Sequence, residues 1–240
     1  MEKKLAYIQQ KIADLDLKVT DEQAIQFYQY YKILVEKNKV MNLTGITEFE
    51  EVVQKHFVDS LALVWIKELS DVDNLIDVGT GAGFPGIPLK IMFPHMKVTL
   101  LDSLNKRVLF LREVMEVCGL SEIVAIHGRA EDVARDEGYR EKYDLCVSRA
   151  VANLAVLSEY CLPFVKVGGV FVAYKAGEIR GEVEGAEKAI KVLGGRMEEE
   201  KVFVLPGTDI GRAFVEVEKV RECGKKYPRK AGVVSRTPLK

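Results

Sequence analysis

No stretch of this sequence approaches the roughly 20 uncharged apolar residues that would span a bilayer. The opening Met-Glu-Lys-Lys-Leu leads into no apolar segment of the secretory kind. A cytoplasmic chain with no membrane partner is therefore expected, and we take it as a monomer. Cysteine is sparse: Cys118, Cys146, Cys161 and Cys223 form no Cys-x-x-Cys pair, and His56, His95 and His127 are equally scattered. Zinc and iron–sulfur sites need closely spaced ligands, so no metal is expected and the thiols read as buried and reduced. Internal repeats, low-complexity segments and a convincing linker are missing as well. Net charge is nearly absent, at −1.

What is present fits one generous folded unit. The 240 residues are 48% hydrophobic and 30% charged, and a chain of this length buries roughly 70% of its unfolded surface without disulfides or metal. The charge is unevenly spread. Residues 219–240 carry eight Lys or Arg (219, 221, 225, 226, 229, 230, 236 and 240) against Glu222 alone, leaving a surplus of seven positive charges on an acidic body. Such a tail suits an anionic partner approached from one side, or simply keeps the chain in solution.

Residues 1–70 read as helical. Thr20-Asp-Glu-Gln23 is a capping-box pattern, followed by Ile25, Tyr28, Leu34 and Val35 near helical spacing, with a stop near Asn38. A second periodic stretch runs from about 48 to 69. From residue 74 short β-rich runs alternate with helical ones: 74–78, 97–101, 123–126, 144–147 and 169–174 read as strands, and 106–117 as a helix. Strands joined by helical crossovers imply a parallel sheet covered on both faces. The runs 201–205 and 213–217, with Pro206-Gly207 between them, spell an antiparallel ending. The expected architecture is α/β: a helical N-terminal cap (1–70), a mostly parallel Rossmann-like core with an antiparallel last strand (71–220) and a basic tail (221–240).

The sharpest signal is Asp77-Val-Gly79-Thr-Gly81-Ala-Gly83-Phe-Pro85-Gly86, directly after the first β run. Glycines there permit a tight turn and bring backbone N–H groups close to a ligand. An acid two residues before Gly79 would repel pyrophosphate and welcome an ammonium, which disfavours a dinucleotide site. Asp102 ends the second strand, where an acid can bond both hydroxyls of an adenosine ribose. His127-Gly-Arg-Ala130-Glu131-Asp132 follows the third strand and Ser148-Arg149-Ala150 closes the fourth. Singly, each has an ordinary explanation: Asp77, Asp102, Glu131 and Asp132 as caps, Arg149 as an ion-pair partner. Together, at successive strand ends, they point to an adenosine ligand with a cationic tail, S-adenosylmethionine.

With those residues in view the chain resembles the class I S-adenosylmethionine-dependent methyltransferases, and more closely the bacterial RsmG (GidB) family. The resemblance runs through Asn42-Leu-Thr44, His56-Phe-Val-Asp59-Ser60, the Asp77–Gly86 loop, Gly128-Arg-Ala-Glu131, Ser148-Arg-Ala150 and Tyr227-Pro-Arg-Lys230. It implies transfer of a methyl group to guanine N7 of 16S ribosomal RNA within the small subunit or an assembly intermediate. The cofactor contacts it implies are Gly79, Thr80, Gly81, Phe84, Asp102, Ser103, Ala130, Glu131 and Arg149. For the substrate side it implies His56, Asp59, Ser60, Lys175, Arg229 and Lys230, with Tyr227 as a stacking ring. Two departures fall on the RNA side: Lys175 is followed by Ala176-Gly177 rather than directly by glycine, and the tail after Lys230 lacks an expected proline. N7 carries a lone pair and no proton, so no general base is expected and no catalytic residue is assigned. The competing readings are a methyltransferase acting on another RNA or on protein, and a scaffold that binds S-adenosylmethionine without turnover.

Overall fold

The structure is a computed structural model that describes residues 1–239; Lys240, the last cation of the tail, lies outside the described residues. Helices α1 (Glu2–Ala13) and α2 (Asp21–Met41) lead the chain. The capping box at the start of α2 forms as its sequence predicts: Thr20 Oγ1 accepts from the Gln23 N–H at 3.2 Å, and Gln23 Oε1 accepts from the Thr20 N–H at 2.9 Å. The helix does not stop near Asn38. It continues to Met41 and ends at a left-handed Asn42, while the Asn38 side chain bonds the backbone of Leu43 and Thr44. The second periodic stretch becomes four short pieces: α3 (Phe49–Val52), a π-helical segment (Val53–Val58), α4 (Asp59–Leu61) and a 3-10 turn (Ala62–Trp65).

From residue 74 strands and helices alternate. They are β1 (Asn74–Val78), α5 (Gly86–Met92), β2 (Lys97–Asp102), α6 (Asn105–Val117), β3 (Ile123–His127), α7 (Ala130–Val133), β4 (Tyr143–Arg149), α8 (Leu154–Cys161), β5 (Val165–Ala176), α9 (Arg180–Glu184), α10 (Glu187–Val192), β6 (Gly195–Val204), β7 (Gly211–Lys219) and α11 (Val233–Arg236). Seven strands form one sheet in the order β3-β2-β1-β4-β5-β7-β6. Pairing is parallel from β3 through β5, and β7 runs antiparallel to both of its neighbours. Strand β6 begins six residues before the run that its sequence marks. Its first half, Arg196-Met-Glu, is polar because it lies on a sheet edge, where Arg196 pairs with Glu218 across the ladder at 2.5 Å.

Alternation along the strands divides the core in two. Leu75, Leu100, Leu145 and Val172 face one hydrophobic cluster, which they share with Ile8, Phe27 and Leu34 of the N-terminal helices. Ile76, Leu101, Cys146 and Phe171 face the other, beneath α8 to α10. The N-terminal helices are also tied to the sheet by polar bonds: Gln23 Nε2 donates to the Ile91 carbonyl at 2.9 Å, and the Tyr30 hydroxyl donates to the Ala82 carbonyl inside the glycine loop. The four cysteines are free and buried. Among the described residues no helix is long and apolar enough to cross a membrane.

Candidate active site

The loop after β1 folds as it does because its glycines enter left-handed backbone, with φ of +73° at Gly79 and +62° at Gly81. A Cβ at Gly79 would stand 2.6 Å from Val151 Cγ2, so only glycine fits. At Gly86 a Cβ would meet Leu100 at 2.4 Å, which is how closely α5 packs on the sheet.

Asp77 does not face the ligand space, contrary to the sequence-based expectation. It is fully buried beneath the loop, where Oδ2 accepts from the Thr80 hydroxyl at 2.6 Å and the Gly86 N–H at 2.9 Å. Its other oxygen has no partner among the described residues. Burial pushes the carboxyl up to about 6, against the pull of those two donors. Asp77 is a tether that shapes the loop. The Thr80 hydroxyl proton is spent on that tether, while Thr80 still lines the cavity.

Around the carboxyl ends of the strands lies a crevice in two connected parts. The larger, about 420 Å³, is lined by Thr80, Gly81, Phe84, Asp102, Ser103 and Arg149, among others. The smaller, about 140 Å³, is walled by Ala130, Glu131 and Tyr160, and the two share Gly79, Ser103 and Val151. The nine residues expected around the cofactor line one or other of these two adjoining parts. Asp102 is held in place by the Gly81 N–H on Oδ2 and the Leu104 N–H on Oδ1, each at 2.9 Å. Arg107 Nη1 also reaches Oδ2 at 3.4 Å, and Oδ1 keeps a second acceptor position for a hydroxyl.

A separate cavity of about 350 Å³ opens beside the crevice, lined by Lys55, His56, Asp59, Arg149, Lys175 and Arg212 with Tyr174. The two spaces abut at His56, Arg149 and Ala150, which line both. Asp59, almost fully buried, bonds two arginines at once: Arg149 Nη1 at 2.8 Å and Arg212 Nε at 2.7 Å. His56 stacks on Phe84 with centroids 4.5 Å apart and pairs through Nε2 with the Thr44 hydroxyl at 2.8 Å. The Arg149 guanidinium lies 5.0 Å from the Phe84 centroid and 3.4 Å from His56 Nδ1. Burial first, and then the Arg149 charge, push the imidazole down to about 3, so it is neutral at ordinary pH. The π-helical segment matters here. Its wider turn is the backbone on which His56 and Asp59 reach the junction, and such segments are frequent at functional sites.

Two of the residues expected on the substrate side, Ser60 and Arg229, are placed otherwise, and Tyr227 is a third correction. Ser60 is fully buried; its hydroxyl donates to the His56 carbonyl one turn back. Lys175 lines the second cavity but gives its ammonium to Glu182 at 2.5 Å and to the Ala152 carbonyl at 2.7 Å. Arg229 is bound to the buried carboxylate of Glu159, far from that cavity's walls, because a buried carboxylate needs a charged partner. Tyr227 packs into the core beneath α8 and presents no free ring. Lys230 is exposed. Sequence reasoning missed Arg212, Lys55 and Tyr174. Arg212 reaches the site only because β7 pairs with β5 in a register that sets Arg212 opposite Ala176.

A parallel sheet with one reversed strand, a glycine loop after its first strand and an acid ending its second define the class I methyltransferase fold. Solved members of that fold superpose on the chain: M. jannaschii TYW2 in complex with AdoMet, with TM-score 0.53 and 15% identity over 69% of this chain and 77% of that one, and TrmN from Thermus thermophilus, with TM-score 0.51 and 16% identity over 70% and 53%. The chain belongs to the GidB family, rRNA small subunit methyltransferase G, whose model matches residues 23–207. Similar proteins bearing the name ribosomal RNA small subunit methyltransferase G come from Alkaliphilus metalliredigens, 51% identical over 95% of each chain, and Thermoanaerobacter sp. strain X514, 53% identical over 89% of each.

Proposed function

We propose that the protein transfers a methyl group from S-adenosylmethionine to N7 of a guanine in small-subunit ribosomal RNA. The observation that carries this reading is the abutment of the two cavities at His56, Arg149 and Ala150. The crevice fits the cofactor: it has an acid for a ribose, a glycine loop with close backbone, and a side compartment for a base. When bound there, S-adenosylmethionine supplies an electrophilic methyl on a sulfonium. The second cavity, cationic through Lys55, Arg149 and Arg212, suits a nucleotide whose phosphates and O6 accept hydrogen bonds. Asp102, the glycine loop and Glu131 would hold that cofactor, and transfer of its methyl to N7 would release S-adenosylhomocysteine and leave the positive charge on the guanine.

The chain's own residues orient and neutralise; none moves a proton. His56, held neutral, is a wall rather than an acid or base. Asp59 offsets part of the charge of two arginines next to a developing cation, and the Phe84 ring carries the Arg149 guanidinium at the same point. The rest of the rate comes from holding N7 in line at near-attack distance. The substrate fits best as a small subunit or assembly intermediate in the cytoplasm, where a folded loop presents its N7. The test is transfer of labelled methyl to small subunits lacking their native modifications, followed by nucleoside analysis. Label in 7-methylguanosine of 16S RNA is expected. Label elsewhere would overturn the choice of base, and binding without transfer would favour the scaffold.

A further inference from the structure

The C-terminal tail folds back over α7 and α8. Arg229 holds both carboxylate oxygens of the fully buried Glu159, through its guanidinium at 2.6 to 3.1 Å and its backbone N–H at 2.7 Å. Arg140 donates to the carbonyls of Cys223 at 2.7 Å and Tyr227 at 2.9 Å, and Arg135 to that of Pro228. Three residues beyond Arg229, the Gly232 N–H donates to Glu131 Oε1 at 3.3 Å, and α11 then packs against α8. The tail's side of these contacts lies beyond residue 207, the last that the family model matches.

These contacts reach two walls of the cofactor crevice, one directly and one through its neighbour in the chain. Glu131, itself nearly fully buried, and Tyr160, which directly follows the clamped Glu159 in α8, are walls of the crevice's smaller compartment. The tail's bonds to Glu131 and Glu159 support these two walls, while the glycine loop and Ser103 form the side nearer the larger space.

We propose that the tail, through Arg229 and Gly232, is a positioning element for the adenosine end of the crevice, so that tail docking and cofactor binding form one coupled equilibrium. This rests on the reading of the crevice as the cofactor site. The coupling is reciprocal by linkage: whatever factor the docked tail adds to cofactor affinity, bound cofactor adds to tail docking. A side chain at Gly232, whose φ is +79°, strains the left-handed backbone that aims its N–H at Glu131, and loss of the Arg229 clamp frees the residue that directly precedes Tyr160. Neither change touches the glycine loop or Asp102.

The experiment is hydrogen exchange of the full-length protein with and without saturating S-adenosylhomocysteine, together with calorimetric titration of the same ligand into full-length R229Q and G232A. Exchange of the amides from 229 to 236 should slow by roughly five-fold or more on saturation, and both variants should lose affinity by a similar factor at temperatures where they remain folded. The exchange arm needs no variant, so a misfolded R229Q leaves the test intact. A tail that is merely structural would lower the melting temperature of the variants with affinity and exchange unchanged, and that result overturns the proposal. Failure of the unaltered protein to bind S-adenosylhomocysteine at all would instead overturn the reading of the crevice, and the coupling with it.

Discussion

Replacing His56 by glutamine removes an imidazole that burial and the neighbouring Arg149 charge hold down at about 3, while keeping a polar group within reach of Thr44. In the unfolded chain the same ring takes up a proton near its ordinary value of about 6.5. The folded value lies below the unfolded one. Stability from the neutral ring is therefore complete above about pH 6.5 and drains away as the pH falls toward 3. At about pH 5 the unfolded chain gains about 2 kcal/mol from protonating this one ring, at 1.36 kcal/mol per pH unit. The glutamine variant carries no such load. Above neutrality it should be the less stable protein, having lost the stack on Phe84. Between about pH 7.5 and about pH 5 that disadvantage should shrink by about 2 kcal/mol, or roughly 4–8 °C in melting temperature. Urea unfolding of both proteins at the two pH values, with equal m-values required, measures the gap directly. A gap that stays constant with pH would refute a buried, neutral His56.

Asp77 should show the opposite slope. Its folded value of about 6 lies above the usual carboxylate range, so its charge costs stability increasingly as pH rises from about 4 to about 6. D77N should gain on the unaltered protein by up to about 3 kcal/mol across that window, and melts showing no gain would count against the buried charge. Removing the carboxylate in D59A leaves Arg149 and Arg212 facing each other; a loss of about 3 kcal/mol is expected, or roughly 6–12 °C, and a variant melting within two degrees of the parent would contradict the shared pair. Because His56 stays neutral, the rate of methyl transfer in D77N, which lacks the other group titrating near 6, should be flat between about pH 6 and about pH 8; an inflection near 6.5 in its single-turnover rates would assign the imidazole a working proton.

The parts of the fold that came from the sequence are those set by local pattern. Strand β1 and the loop after it are visible because alternation, glycine spacing and an acid coincide within ten residues, and the capping box at Thr20 is likewise self-contained. What could not be read depends on pairing at long range. The polar start of β6 has no strand signature because an edge needs none, and Arg212 joins Asp59 across 153 positions only through the β5–β7 register. The same limit explains Asp77. Its position beside the glycines is visible, but the direction of its side chain, down into the sheet, is set by the Gly86 N–H that it accepts from nine residues later.

Charge counting shows that limit most sharply, and it can be tested. The sequence offers eight cations from 219 to 240, yet the fold withdraws two of them: Lys219 is fully buried against Glu141 at 2.8 Å, and Arg229 is clamped on Glu159. Among the described residues Arg221, Lys225, Lys226, Lys230 and Arg236 remain exposed. Only an exposed cation can displace counterions from RNA, and each that contacts a phosphate steepens the dependence of log affinity on log salt by about 0.7 for single strands. Neutralising Lys230 as K230Q should therefore flatten the salt slope of RNA binding by about 0.7 with little change in stability. R229Q should do the reverse, lowering stability by a few kcal/mol for the stranded Glu159 carboxylate and leaving the slope where it was. Filter binding over a range of salt separates the two variants, and equal slopes would mean that Arg229 leaves its clamp when RNA arrives.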